Sequence, residues 1–161
     1  MKFISEHIID QITTELESSD GEFERAVVRL EEEQPYLLAY LFNEEFEVLT
    51  VAEKDYLLFL SIALWRSIKK EVGTLRMVGE NDIGEADEKN WEQLTTAAGK
   101  TFRDRLNSFF EITPQEDLLA FVEDSLTLDE EETTVTKEGR EPMFIALKTI
   151  IDVLTHESAT S

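Results

Sequence analysis

Glu85, Glu88 and Glu92 stand at i, i+3 and i+7, a spacing that sets three carboxylates along one face of a helix. Several carboxylates converging on one hard cation is how all-helical nucleotide pyrophosphatases hold magnesium around a polyphosphate. That chemistry needs a second acidic helix. The double-glutamate signature with a downstream Glu-x-x-Asp partner does not occur here, and Lys89 sits beside the row. Acids are also favoured in the first turns of any helix by its positive end. The row therefore reads first as solvent surface.

The two histidines offer a second constellation. His7 and Asp10 are three apart, and Asp152 and His156 four apart, so each acid shares a helix face with an imidazole. A carboxylate-bridged dimetal site in a bundle needs Glu-x-x-His, but Ile4 and Val153 occupy the positions three before His7 and His156. If the first and last helices pack together, the four residues converge; otherwise each is a surface pair contributing a few tenths of a kcal/mol. The acids Glu80, Asp82, Glu85 and Asp87 lack the ligand order of an EF-hand.

Nucleophilic chemistry finds no frame. No serine lies in G-x-S-x-G, no phosphate-binding glycine loop occurs, and the chain has no cysteine. Ser61 lies inside an apolar helix, where a hydroxyl ordinarily bonds the carbonyl one turn back. No catalytic residue, cofactor or metal is assigned.

Charge narrows the partners. With 36 acids against 15 bases the formal net charge is −21, which repels nucleic-acid backbones. Residues 1–50 hold 13 acids and 3 bases, residues 51–100 hold 9 and 7, and residues 101–161 hold 14 and 5. The balanced middle suggests a central segment wrapped by helices with acidic outer faces. The apolar run at 56–65 is shorter than the roughly 20 residues that span a bilayer, and acids interrupt the amino-terminal apolar residues, so neither a membrane span nor an export signal is expected. The cysteine-free composition fits the cytoplasm.

The elements that must position these groups are helices. Apolar spacing predicts helices over about 5–17, 22–32, 35–43, 51–72, 87–110, 114–126 and 142–156. Thr50 and Glu53 form a capping-box pattern, and Gly73 after Lys69 and Lys70 ends the helix they open. Glu31, Glu32 and Glu33 oppose the dipole at the end of the second helix unless a cation faces them. Gly99 interrupts the long helix at 87–110 at a cost of about 1 kcal/mol. Long loops are expected near 73–86 and 127–141, and a frayed end at 157–161. Trp91, Phe102 and Phe109 on one helix, and Tyr56, Phe59 and Trp65 on another, read as core.

The expected fold is all-α: a single domain spanning 1–161, a bundle or array of about seven helices around a central apolar pair, 35–43 and 51–72. The helix at 35–43 carries more apolar circumference than one neighbour covers, so Tyr36, Leu37, Tyr40, Leu41 and Phe42 form the expected interaction surface. The functional expectation is a non-enzymatic module for protein–protein interaction or assembly, binding another protein or a second copy. The alternatives are a carboxylate- and divalent-metal-dependent enzyme or ligand-binding protein at Glu85, Glu88 and Glu92 or at the His7 and His156 pairs, and, lower, a nucleic-acid mimic that inhibits a basic protein.

Overall fold

The computed structural model describes residues 2–127 and 135–156. Along the chain run α1 (Glu6–Ser18), α2 (Glu22–Glu33), α3 (Pro35–Leu41), a 3-10 turn (Glu44–Phe46), α4 (Val51–Val72), α5 (Glu80–Thr96), α6 (Phe102–Ile112), α7 (Glu116–Leu126) and α8 (Lys137–Thr155). There is no β-strand among the described residues. No described helix is long and apolar enough to cross a membrane.

The interior is organised on α4 and α8. Ile62 to Trp65 and Met143 to Leu147 are continuous buried runs, apolar on every side of their helices, and the two helices pack on each other. α1 and α2 cover α4, while α5 and α7 cover α8. Phe109 of α6 meets Phe144 of α8 edge-to-face at 5.0 Å. The expected central pair is thus corrected in one member: α8, not α3, partners α4. α3 has only 7 residues, because Asn43 accepts a hydrogen bond from the Glu45 N–H at 2.6 Å and turns the chain into the 3-10 segment.

Among the described residues there are eight α-helices against the expected about seven, because 87–110 is two helices. Gly99 adopts φ +126°, where an added Cβ would stand 2.5 Å from that of Asp104. Thr101 then caps α6 by accepting from the Asp104 N–H at 3.0 Å. The expected loop at 73–86 ends earlier, since α5 begins at Glu80 and carries the exposed Gly84. The expected loop at 127–141 is shortened likewise: α8 starts at Lys137, with Pro142 in its second turn. Residues 128–134 and the expected frayed end at 157–161 lie outside the described residues.

One buried carboxylate joins the two central helices. Glu53, 1 % exposed, closes the capping box of α4 by accepting from the Thr50 N–H at 2.9 Å. Its other oxygen accepts from both the N–H and the hydroxyl of Thr136, each at 2.9 Å, and Thr136 in turn caps α8 at Gly139. A negative charge thus sits between two positive helix ends. Burial works to raise the Glu53 carboxyl, but the hydrogen bonds from Thr50 and Thr136 together hold it below the ordinary carboxylate range. At the other end of α4, Lys69 pairs with Glu33 at 2.5 Å, supplying the cation that the end of α2 requires.

The close approach of Glu53 explains Gly139, where a Cβ would lie 1.9 Å from the carboxylate. Gly84 has nothing within 4 Å of an added Cβ. Two alanine substitutions in helices should therefore differ in sign under urea denaturation. Gly84→Ala should stabilise by roughly 0.5–1 kcal/mol, whereas Gly139→Ala should destabilise by at least about 1 kcal/mol as it pushes Glu53 off Thr136.

Candidate functional site

The acidic row is on the surface. Glu85, Glu88 and Glu92 are all exposed on the outer face of α5. The histidine pairs do not meet: Asp152 and His156 line a cleft on α8 that His7 and Asp10 do not reach. Among the described residues no group of three or more His, Asp or Glu could hold a metal ion.

The expected interaction surface divides. Leu37, Tyr40 and Leu41 are buried in the chain's own core, so the folded protein does not present them, while Tyr36 and Phe42 are exposed. The reason is that α3 packs on α2 and α5. These neighbours cover the apolar circumference of α3 that the sequence left unassigned. The larger exposed apolar surface follows α3: Phe42, Val48 and Val51 are 69 %, 70 % and 76 % exposed, while Phe46 and Leu49 between them anchor the segment in the core.

Tyr40 instead starts a polar network through the interior. Its hydroxyl donates to Asp87 of α5 at 2.6 Å and lies beside Thr149 of α8. Burial and the Asp87 carboxylate keep that phenol protonated well above its ordinary range. Glu45 lies against Asp87 and accepts from the Trp91 indole N–H. On the other side, Asn90 donates to Thr149 at 3.2 Å and to Asp152 at 3.0 Å, and Lys148 donates to the second oxygen of Asp152. The network spans four elements, and Asp152 has both oxygens engaged. That arrangement orients side chains; it leaves no nucleophile beside a free base.

The Asp152 end opens into a cleft of about 770 Å³ between α5, α8 and the α6–α7 turn. Two buried glutamines set its walls by pairing with backbone as a strand neighbour would. Gln34 donates to the Arg76 carbonyl at 2.8 Å and accepts from the Val78 N–H at 2.9 Å, pinning the 73–79 segment. Gln115 donates to the Lys2 carbonyl at 2.9 Å and accepts from the Ile4 N–H at 3.0 Å, tying down the amino terminus. Met77 and Ile112, 54 % and 69 % exposed, form apolar lips over a floor of Asn90, Lys148 and Asp152. Sequence reading passed over Asn90 and Lys148. Their signal was a polar residue at apolar spacing, Asn90 between Ile83 and Leu94, and Lys148 inside the run at 143–154.

Burial pushes the Glu45 carboxyl up, the Trp91 N–H opposes this, and the adjacent Asp87 carboxylate adds to the rise, leaving it at about 6. A raised acid contributes stability that is present below 4.5 and is lost as pH climbs through about 6. Glu45→Gln keeps an acceptor for Trp91 and removes the like charge. It should raise stability at pH 7, by less than about 1 kcal/mol because the pair is partly open to water, and should flatten the pH dependence of the urea midpoint across that window. No family model, no curated protein and no solved structure matches this chain.

Proposed function

We propose that the chain is a non-enzymatic interaction module that docks another protein on the apolar surface between α3 and α4. The observation that carries this reading is the exposure of Phe42, Val48 and Val51 within ten residues of one another, on a segment anchored by buried Phe46 and Leu49. A large apolar side chain left in water forgoes about 1.5–3 kcal/mol that burial would return, and three held together on an anchored segment make a preorganised docking surface. Exposed Glu44 and Glu47 frame it. The complementary partner surface is an apolar patch with a basic rim, which the net charge of −21 also steers toward the protein. A second copy fits less well, because a symmetric contact sets these acids against themselves. The cysteine-free composition accords with a reducing compartment, and the proposal places the protein in the cytosol.

A second reading has its own observation: the cleft between α5 and α8 falls within the roughly 300–1,000 Å³ of small-molecule sites and has apolar lips over a polar floor. Photo-crosslinking in the cells that express the protein separates the two. A benzophenone side chain at position 42 should give a discrete protein adduct that Val48→Glu with Val51→Glu removes, while the same probe at exposed Glu24 gives none. Absence of an adduct at 42, or one indifferent to the two glutamates, contradicts the docking surface.

A further inference from the structure

Five of the chain's 15 basic residues line one cleft. Arg25 and Arg29 of α2 face Arg66, Lys69 and Lys70 of α4 across a space of about 680 Å³, against which, among the described residues, only Glu15 and Glu22 contribute carboxylates. Glu22 is shared by Arg25 and Arg66, each at 3.0 Å, so one carboxylate answers two guanidinium groups. Lys69 is paired outside the cleft wall with Glu33 and stands over the Trp65 ring at 5.4 Å. Arg29 and Lys70 have no acid within ion-pair range among the described residues. Lys69 and Lys70 also answer the negative end of α4, but Arg29 has no such role, since no base lies in the last turn of α2.

A cationic cleft on a protein of net charge −21 is a local reversal of sign. Self-repulsion among acids does not produce it, because the same cations spread among the outer acids would lower the energy further. A second observation lies in the wall. Trp65 is 1 % exposed, and its indole N–H finds no acceptor among the described residues, although a buried donor without a partner costs about 1–3 kcal/mol.

We propose that this cleft binds a small multivalent oxyanion, a compound carrying phosphate or carboxylate groups with two or more negative charges. Guanidinium forks match both groups in geometry, and the uncommitted Arg29 and Lys70 supply charge that the internal carboxylates leave unanswered. Size and field select the class. The volume fits a metabolite, while the surrounding acids repel an extended polyanion such as a nucleic acid or an anionic membrane far more than a compact ion, whose interaction is screened beyond about 8–10 Å.

Isothermal titration with pyrophosphate and with citrate, against sodium chloride at equal ionic strength, tests the site and separates its two anion chemistries. The expected result is saturable binding of at least one of them, with a melting temperature raised by several degrees at a hundredfold excess over Kd. Arg29→Ala with Lys70→Ala, both exposed and outside every ion pair among the described residues, should weaken that binding at least about tenfold while lowering the ligand-free melting temperature by no more than about 4 °C, the share of Lys70 at the negative end of α4. Binding of neither anion at millimolar concentration, or binding equally tight in the double variant, overturns the proposal. Concentration-dependent dimerisation abolished by the double variant, without uptake of either anion, assigns the cleft to carboxylates of a second copy and also overturns it.

Discussion

The Glu53 carboxylate is the constraint on which the rest of this structure depends. It starts α4 by closing the capping box with Thr50, and it starts α8 by holding Thr136. The two helices that form the interior are thus registered at one point by an ion taken out of water. Burying a charge is favourable only where every lone pair is used, and here Thr50 and Thr136 supply the donors while Gly139 gives the carboxylate room to approach. The cost of desolvation is offset by hydrogen bonds and by two helix dipoles pointing at the same oxygens.

From that registration the two clefts follow. α4 carries Arg66, Lys69 and Lys70 to the cationic cleft, and α8 carries Lys148 and Asp152 to the floor of the opposite one. The network from Trp91 through Glu45, Asp87, Tyr40, Thr149 and Asn90 to Asp152 fixes α5 on α8, so the polar floor is as rigid as the core beside it. Buried polar groups of this kind are satisfied by one another rather than by solvent. The exposed apolar side chains near α3 have a different origin. Phe46 and Leu49 occupy the core, while Phe42, Val48 and Val51 of the same segment remain exposed.

Helix type and the best-capped boundary were legible in the sequence because they are set locally. α4 begins and ends where Thr50, Glu53 and Gly73 place it. Other boundaries failed for equally local reasons. Gly84 reads as a breaker yet costs a helix only about 1 kcal/mol, which packing of Ile83 and Leu94 readily outweighs. Gly99 followed by the Thr101 cap was a legible stop, obscured by the apolar stripe that continues from Trp91 to Phe109 across the break. The identity of the central pair was not legible from α3 alone, since apolar circumference tells that a helix is covered but not by what. Neither cleft could be read from spacing, because Arg25 and Lys70, or Arg76 and Asp152, are brought together only by tertiary packing. The acidic row at Glu85, Glu88 and Glu92 was legible as a single helix face, and its solvent position follows from Ile83, Asn90 and Leu94 occupying the inner one.

Equilibrium unfolding of Glu53→Gln across pH tests the account most directly. A carboxyl held below its ordinary value contributes stability that is present above about 4.5 and disappears as pH falls through the depressed value. The account predicts that the glutamine variant is less stable than the parent by about 2 kcal/mol at pH 7, and that this difference shrinks as pH is lowered below 4.5. Equal stability of the two proteins at neutral pH, or a difference that persists undiminished into acid, would contradict it.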